Sequence, residues 1–316
     1  MNKQIICMFS GQGSQYYEMG KELYEHNEQF RYWMDHCNEI VFPLIGTSLI
    51  DVLYRGKRKS EPFDNILYTN PALLSIQYSM FKLLKGMNIQ PDFLMGYSMG
   101  ELHAAVVSGA ISLEDGIRVS VDIAKLVHEK TQPAGMLAIM GSKSIMIRYP
   151  DLFRNCWFTA GNFQENFVVS GLPHTIENLY QNLNKENVIS QILPVKYGFH
   201  TKLIDPIEEA YKQIFRDIKV VSPEIPVISS LQTGTVRELN GDYVWKAIRN
   251  PVNFEQTVER ILETEDYAFI DIGPSGTLST FVKYILPSGS GSISLQMINQ
   301  FGSDLNVIQK LKTCLC

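Results

Sequence analysis

The sequence lacks any hydrophobic run long enough to cross a bilayer. Its apolar start, Ile5-Ile6-Cys7-Met8-Phe9, runs straight into a glycine turn where a secretory signal would carry its cleavage site. It therefore reads as a first buried strand, and no membrane span is expected. Cysteine is scarce and unpatterned: Cys7, Cys37, Cys156, Cys314 and Cys316 are odd in number, scattered and without a C-x-x-C pair. That argues against a disulfide framework and a zinc site, and fits reduced thiols in a cytoplasmic protein with no bound metal. There is no basic excess either. A net charge of -5 leaves no footprint for nucleic acid. Internal repeats are missing, and with 45% hydrophobic and 19% charged residues the chain has an ordinary globular composition. Its 316 residues suit two domains, or one with a smaller one inserted.

The loop after the first strand, Ser10-Gly11-Gln12-Gly13-Ser14-Gln15, lacks the third glycine of a dinucleotide fingerprint and the Gly-Lys-Ser/Thr of a phosphate loop. It reads either as a plain strand-to-helix turn or as a loop offering a backbone N–H to a neighbouring site, with Gln12 the natural donor. The basic run Arg55-Gly56-Lys57-Arg58-Lys59 reads as a solvated loop, docking of an acidic partner being the alternative.

What is present centres on Phe93-Leu94-Met95-Gly96-Tyr97-Ser98-Met99-Gly100-Glu101. An apolar run, Gly-x-Ser-x-Gly and a following helix describe a nucleophile elbow, with Ser98 lifted out of a tight turn. Free N–H groups at the helix start would favour an oxyanion. A tight turn capped by serine is the alternative. Elsewhere strands alternate with helices, which indicates a mostly parallel sheet covered on both faces. Thr69 or Asn70 is expected to cap a long apolar helix that Pro71 opens, and a helix is expected over Lys202 to Phe215. Residues 133–196 read β-α-β-β-α-β, the order of a ferredoxin-like α+β unit, inserted between 1–132 and 197–316.

A serine needs a base. His26, His36 and His128 sit in polar helical surroundings, His103 lies on the elbow helix pointing away from the hydroxyl, and His174 opens a helix of the inserted unit. His200 stands just after the junction between the units, where clefts form, so it either faces Ser98 or is a satisfied buried histidine. No acid is clearly placed to complete a triad, though Asp205 and Asp271 are possible. An ordinary α/β-hydrolase carries its catalytic histidine near the C-terminus, whereas 116 residues follow His200.

Together, Gly11-Gln12-Gly13-Ser14-Gln15, Gly96-Tyr97-Ser98-Met99-Gly100-Glu101, Phe199-His200, Asn250-Pro251-Val252 and Gly273-Pro274 resemble the malonyl-CoA:acyl carrier protein transacylase family, which includes the acyltransferase domains of fatty acid and polyketide synthases. The resemblance runs over the whole chain in order. It implies a hydrolase-like domain with an inserted ferredoxin-like one, Ser98 as acylated nucleophile and His200 as general base. It further implies an oxyanion hole from the backbone N–H groups of Gln12 and Met99, and a backbone carbonyl, matched to Ala247, orienting His200 in place of an acid. No permanently bound cofactor is implied. The substrate would be a phosphopantetheine thioester, as acyl-ACP or acyl-CoA, the partner an acyl carrier protein domain, and the enzyme a monomer.

Three departures from the family pattern stand out: Tyr97 where histidine is usual, Asn70 in place of the glutamine of Thr-Gln-Pro, and Ile123 at the position 25 residues past Ser98. Malonyl-transferring members carry an arginine there, which grips the free carboxylate of the substrate. With Ile123, and with Tyr97, Phe199 and Asn70 about the acyl pocket, the resemblance implies an apolar acyl group. It points to the stand-alone members of polyketide pathways that release acyl groups to water. Acyl transfer from CoA to a carrier protein, and an inactive docking subunit of a synthase, are the alternatives.

Overall fold

The computed structural model describes residues 3–236 and 238–315. The chain starts with strand β1 (Gln4–Phe9), followed by the helices α1 (Lys21–His26), α2 (Glu28–Ile45), α3 (Leu49–Tyr54) and α4 (Ile66–Gly86). Strand β2 (Phe93–Gly96) leads into α5 (Gly100–Val107) and α6 (Leu113–Lys130). The inserted unit runs β3 (Gly135–Met140), α7 (Ser144–Arg148), β4 (Trp157–Phe163), β5 (Asn166–Gly171), α8 (Pro173–Lys185) and β6 (Ser190–Ile192). After it come α9 (Glu208–Ile214), β7 (Val227–Ser229), β8 (Gly234–Thr235), α10 (Gly241–Arg249), β9 (Val252–Asn253) and α11 (Phe254–Leu262). The chain closes with β10 (Tyr267–Asp271), α12 (Thr277–Ile285), β11 (Ile293–Gln296) and α13 (Asp304–Leu315).

The larger sheet has the order β11-β10-β1-β2-β7-β8, parallel except for the last pair. Its middle strands are largely apolar because helices cover both faces: Ile6, Cys7, Met8 and Phe9 of β1 are all fully buried. Register fixes the site at the strand ends, with Phe9 of β1 opposite Gly96 of β2, so the Gln12 loop and the Ser98 elbow leave the sheet side by side.

The smaller sheet has the order β6-β3-β5-β4, all antiparallel, which is the ferredoxin-like arrangement. Alternation along its strands divides the side chains. Leu137, Ile139, Phe167 and Val169 pack under Ile176, Leu179 and Leu183 of α8, while Met136, Ala160 and Val168 join the main core. Two chain segments form its neck, where Pro133 pairs with Tyr197 and the Ala134 N–H donates to Lys196 O at 2.9 Å. Residues 133–196 do not complete this sheet. Strand β9 of the returning chain pairs in parallel with β4, Val252 opposite Ala160, and welds the two units together.

Two expected helices differ. Helix α4 starts at Ile66 with Asn65 as cap, its side chain accepting from the Leu67 N–H, so Pro71 lies inside the helix and Thr69 and Asn70 are in its second turn. Lys202 to Phe215 is not one α-helix. Pro206 has no N–H to give Lys202 O, and the segment runs as a 3-10 helix over Lys202–Ile207 before α9 begins. Among the described residues no helix is long and apolar enough to cross a membrane.

Candidate active site

Both glycines of the elbow are steric necessities. A Cβ on Gly100 would stand 1.9 Å from Phe9 O, and one on Gly96 would stand 2.5 Å from Glu101 Cα. The Tyr97 N–H donates to Phe9 O at 2.9 Å, and the chain then reverses through Ser98 at φ 57, the left-handed region that L-residues rarely occupy. Such strain persists where the surroundings hold it, and here it aims Oγ away from the sheet.

Ser98 Oγ lies 2.7 Å from His200 Nε2. Nδ1 of the same ring is 2.7 Å from Asn250 O. A carbonyl can only accept, so Nδ1 carries the proton and Nε2 is left to accept from the serine hydroxyl. The His200 N–H donates to Ile248 O at 2.7 Å, and His200 also holds a positive φ, 62. Burial lowers its pKa to about 4, against the opposing pull of Asn250 O, so the imidazole is neutral at physiological pH.

The carbonyl at Nδ1 corrects one expectation. It belongs to Asn250 and not to Ala247, which lies in the last turn of α10. Asn250 is the C-cap, in extended conformation at φ -97, and leaves the helix with its carbonyl turned to the imidazole. Neither candidate acid approaches His200. Asp205 pairs with Arg249, and Asp271 accepts from the N–H groups of Gly273 and Ser279 at 2.8 and 3.0 Å, joining the end of β10 to α12.

The backbone N–H groups of Gln12 and Met99 have no acceptor among the described residues. Gly11 packs directly on the elbow, where a Cβ would be 2.9 Å from both Ser98 Cβ and Tyr97 O. Gln77 of α4 fixes the start of this loop, accepting from the Ser10 N–H at 2.8 Å and donating to Ser10 O at 3.0 Å. Its amide also meets His103 Nδ1 at 2.9 Å, which gives the buried His103 a structural place behind the elbow.

Gln12, Tyr97, Ser98, Met136, Ala160, Val168, Leu193, Phe199 and His200 line a narrow cleft of about 40 Å³ that is partly open to solvent. The walls opposite the serine are thus apolar and come from β3, β4 and β5. Tyr97 and Phe199 take part in them, and the Tyr97 hydroxyl donates to Asn162 Oδ1 on β4 at 2.8 Å. Asn70 and Ile123 do not. Asn70 is fully buried and holds the Gln12 side chain by its Oδ1, while its Nδ2 donates to Ser120 O at 3.2 Å. Ile123 is fully buried on α6. Among the described residues no Lys or Arg lines the cleft. Near Ile123, Arg118 pairs with Asp115 and Lys125 donates to Leu44 O, so neither takes the place of the missing arginine.

The sequence reading missed Met136, Ala160, Val168 and Leu193. Their signal was the strand alternation, which marks one face of β3, β4 and β5 without saying what that face covers. Among the described residues no cluster of metal-ligating side chains occurs. Cys7 and Cys37 are buried thiols, whereas Cys316 lies outside the described residues. Two charges of the basic run are paired locally, Arg55 with Asp51 and Lys57 with Glu61, and Lys59 lies over the Tyr16 ring.

A family model described as "Acyl transferase domain" matches residues 6–307. The chain belongs to the acyl transferase family. It is 37% identical over 317 residues to the polyketide biosynthesis acyltransferase homolog PksD of Bacillus subtilis, covering 99% of this chain and 98% of that one. To the homolog BaeD of Bacillus velezensis this acyltransferase is 35% identical over 313 residues, covering 99% and 97%. Its fold superposes with a TM-score of 0.89 on a loading acyltransferase from the avermectin modular polyketide synthase, at 23% identity, covering 98% and 99%. With the malonyl CoA-acyl carrier protein transacylase of Coxiella burnetii the TM-score is 0.82 at 22% identity, covering 99% and 98%.

Proposed function

We propose that this acyltransferase serves polyketide biosynthesis by taking an acyl group from the phosphopantetheine thioester of an acyl carrier protein onto Ser98 and passing it to water. His200 Nε2 takes the Ser98 proton as Oγ bonds to the thioester carbonyl carbon. The Gln12 and Met99 N–H groups receive the oxyanion. Collapse breaks the C–S bond, His200 returns the proton to the sulfur, and an acyl ester remains on Ser98. Water then enters, gives its proton to His200 and bonds to the ester carbonyl, and His200 reprotonates Oγ as the free acid leaves.

The observation that carries the acyl preference is the largely apolar cleft, in which no described Lys or Arg stands. A malonyl carboxylate there would be desolvated with no partner, which should disfavour it by roughly a hundredfold or more against an uncharged acyl group. The test compares acetyl-, butyryl- and malonyl-loaded carrier protein as donors and measures free acid released, with Ser98→Ala as control. Serine-dependent release of acetate and butyrate, with malonate slow, is expected. Rapid malonyl loading with negligible release of the other acids would replace hydrolysis by transfer, and no acyl-enzyme from any donor would leave a docking subunit.

A further inference from the structure

Glu101 is a buried carboxyl group, 1% exposed, that no step above uses. It sits in the first turn of α5, where its N–H donates to Ser98 O at 3.0 Å. Its side chain passes under the elbow to the other half of the site. Oε1 accepts from Ser229 Oγ at 3.0 Å, from the Ser230 N–H at 2.9 Å and from Ser230 Oγ at 3.1 Å. Oε2 accepts from the Tyr243 hydroxyl.

Tyr243 belongs to the first turn of α10, and the far end of that helix carries both carbonyls that hold His200, Ile248 O and Asn250 O. A helix of this length is a stiff strut, about 10 Å from Tyr243 to Asn250 at ~1.5 Å per residue. Every side-chain partner of Glu101 is a donor, so the carboxylate is the single acceptor at which α5, the end of β7 and the start of α10 meet. We infer that Glu101, through Tyr243, is a positioning residue that sets the separation of Ser98 Oγ and His200 Nε2. The serine is fixed to one end of this link by the α5 backbone and the imidazole to the other by the α10 carbonyls. Neither Asp205 nor Asp271 joins those two elements. A carboxylate therefore does act in the dyad's geometry, through the scaffold and without touching the histidine.

The inference rests on Ser98 being the activated nucleophile, and a fluorophosphonate that labels activated serines tests both without needing the natural donor. The maximal labelling rate kinact and the half-saturation concentration KI are measured for the wild type, Ser98→Ala, Tyr243→Phe, Glu101→Gln and Glu101→Ala. Tyr243→Phe removes one hydroxyl and should lower kinact about tenfold with KI within about twofold, since small misplacements of reacting groups are costly. Glu101→Ala should lose more, and Glu101→Gln, which keeps Oε1 as an acceptor, should recover part of that loss. The double variant Glu101→Gln/Tyr243→Phe should be no slower than the slower single one, because both cut the same link. Wild-type kinact in Tyr243→Phe, or a loss confined to KI, would overturn the positioning role while leaving the nucleophile intact. A wild type that does not label would overturn both.

Discussion

Ser98 and His200 hold left-handed backbone angles that cost roughly 1–3 kcal/mol each, and both are tied down by neighbouring backbone groups. Replacing His200 by alanine removes the acceptor at Nε2 and should lower the acylation rate roughly 10²–10⁴-fold, read as serine labelling or thioester cleavage. The sign of the pH dependence follows from the burial of the imidazole. His200 must be neutral to accept the proton, and its pKa is lowered to about 4. In Glu101→Gln, which lacks the buried carboxyl that titrates near 7, initial acylation rates should therefore be flat from pH 7 to 5 and fall only as the pH drops through about 4. An acid limb near 6.5 in that variant would mean an exposed imidazole. The serine was legible in the sequence because both flanking glycines are imposed by contacts under 3 Å. The orienting carbonyl was not. Any residue has one, so nothing in the side-chain pattern separates Asn250 from Ala247.

Among the elements, the Gln12 loop reaches Ser98 only because Gly11 has no side chain. Gly11→Ala should push the loop off the elbow and lower the acylation rate by about tenfold or more while the acyl donor still binds, measured as kcat against KM. Asp271 makes the opposite case. Its two bonds to backbone N–H groups lie at the β10–α12 junction, so Asp271→Ala should cost roughly 2 kcal/mol or more of stability in a urea melt yet leave the labelling rate of the folded fraction near that of the wild type. The β-α-β-β-α-β order of the inserted unit was readable from its strand and helix runs, whereas α4 was placed a turn late because Pro71 reads as an N-terminal residue when it lies inside the helix. The break at Pro206 has the same origin, a missing N–H whose effect depends on register.

For the whole molecule, the order of strands and helices gave the two-unit architecture, but the pairing of β9 with β4 needs three dimensions, since a two-residue strand carries no periodicity. The same packing buries two histidines. Burial lowers His103 to about 3 and His200 to about 4, so between pH 6.5 and those values the unfolded chain takes up protons that the folded one refuses, and stability falls as the pH falls. Glu101 and Asp271, raised to about 7 by burial, act with the opposite sign, contributing stability at low pH that is lost as the pH rises through 7. His103→Asn puts an amide oxygen where Nδ1 meets Gln77 and removes one titrating group. The change in its melting temperature from pH 6.5 to 4 should be more favourable than that of the wild type, whatever the absolute loss from the smaller side chain. The claim on which everything else rests is that the cleft between the units carries an acyl group on Ser98. The most direct measurement is intact mass, with peptide mapping, after brief incubation with acetyl- or butyryl-loaded carrier protein. An acyl adduct on the peptide containing Ser98, absent in Ser98→Ala and accumulating little in His200→Ala, is the predicted result. An adduct elsewhere, or none while thioester is still consumed, would contradict it.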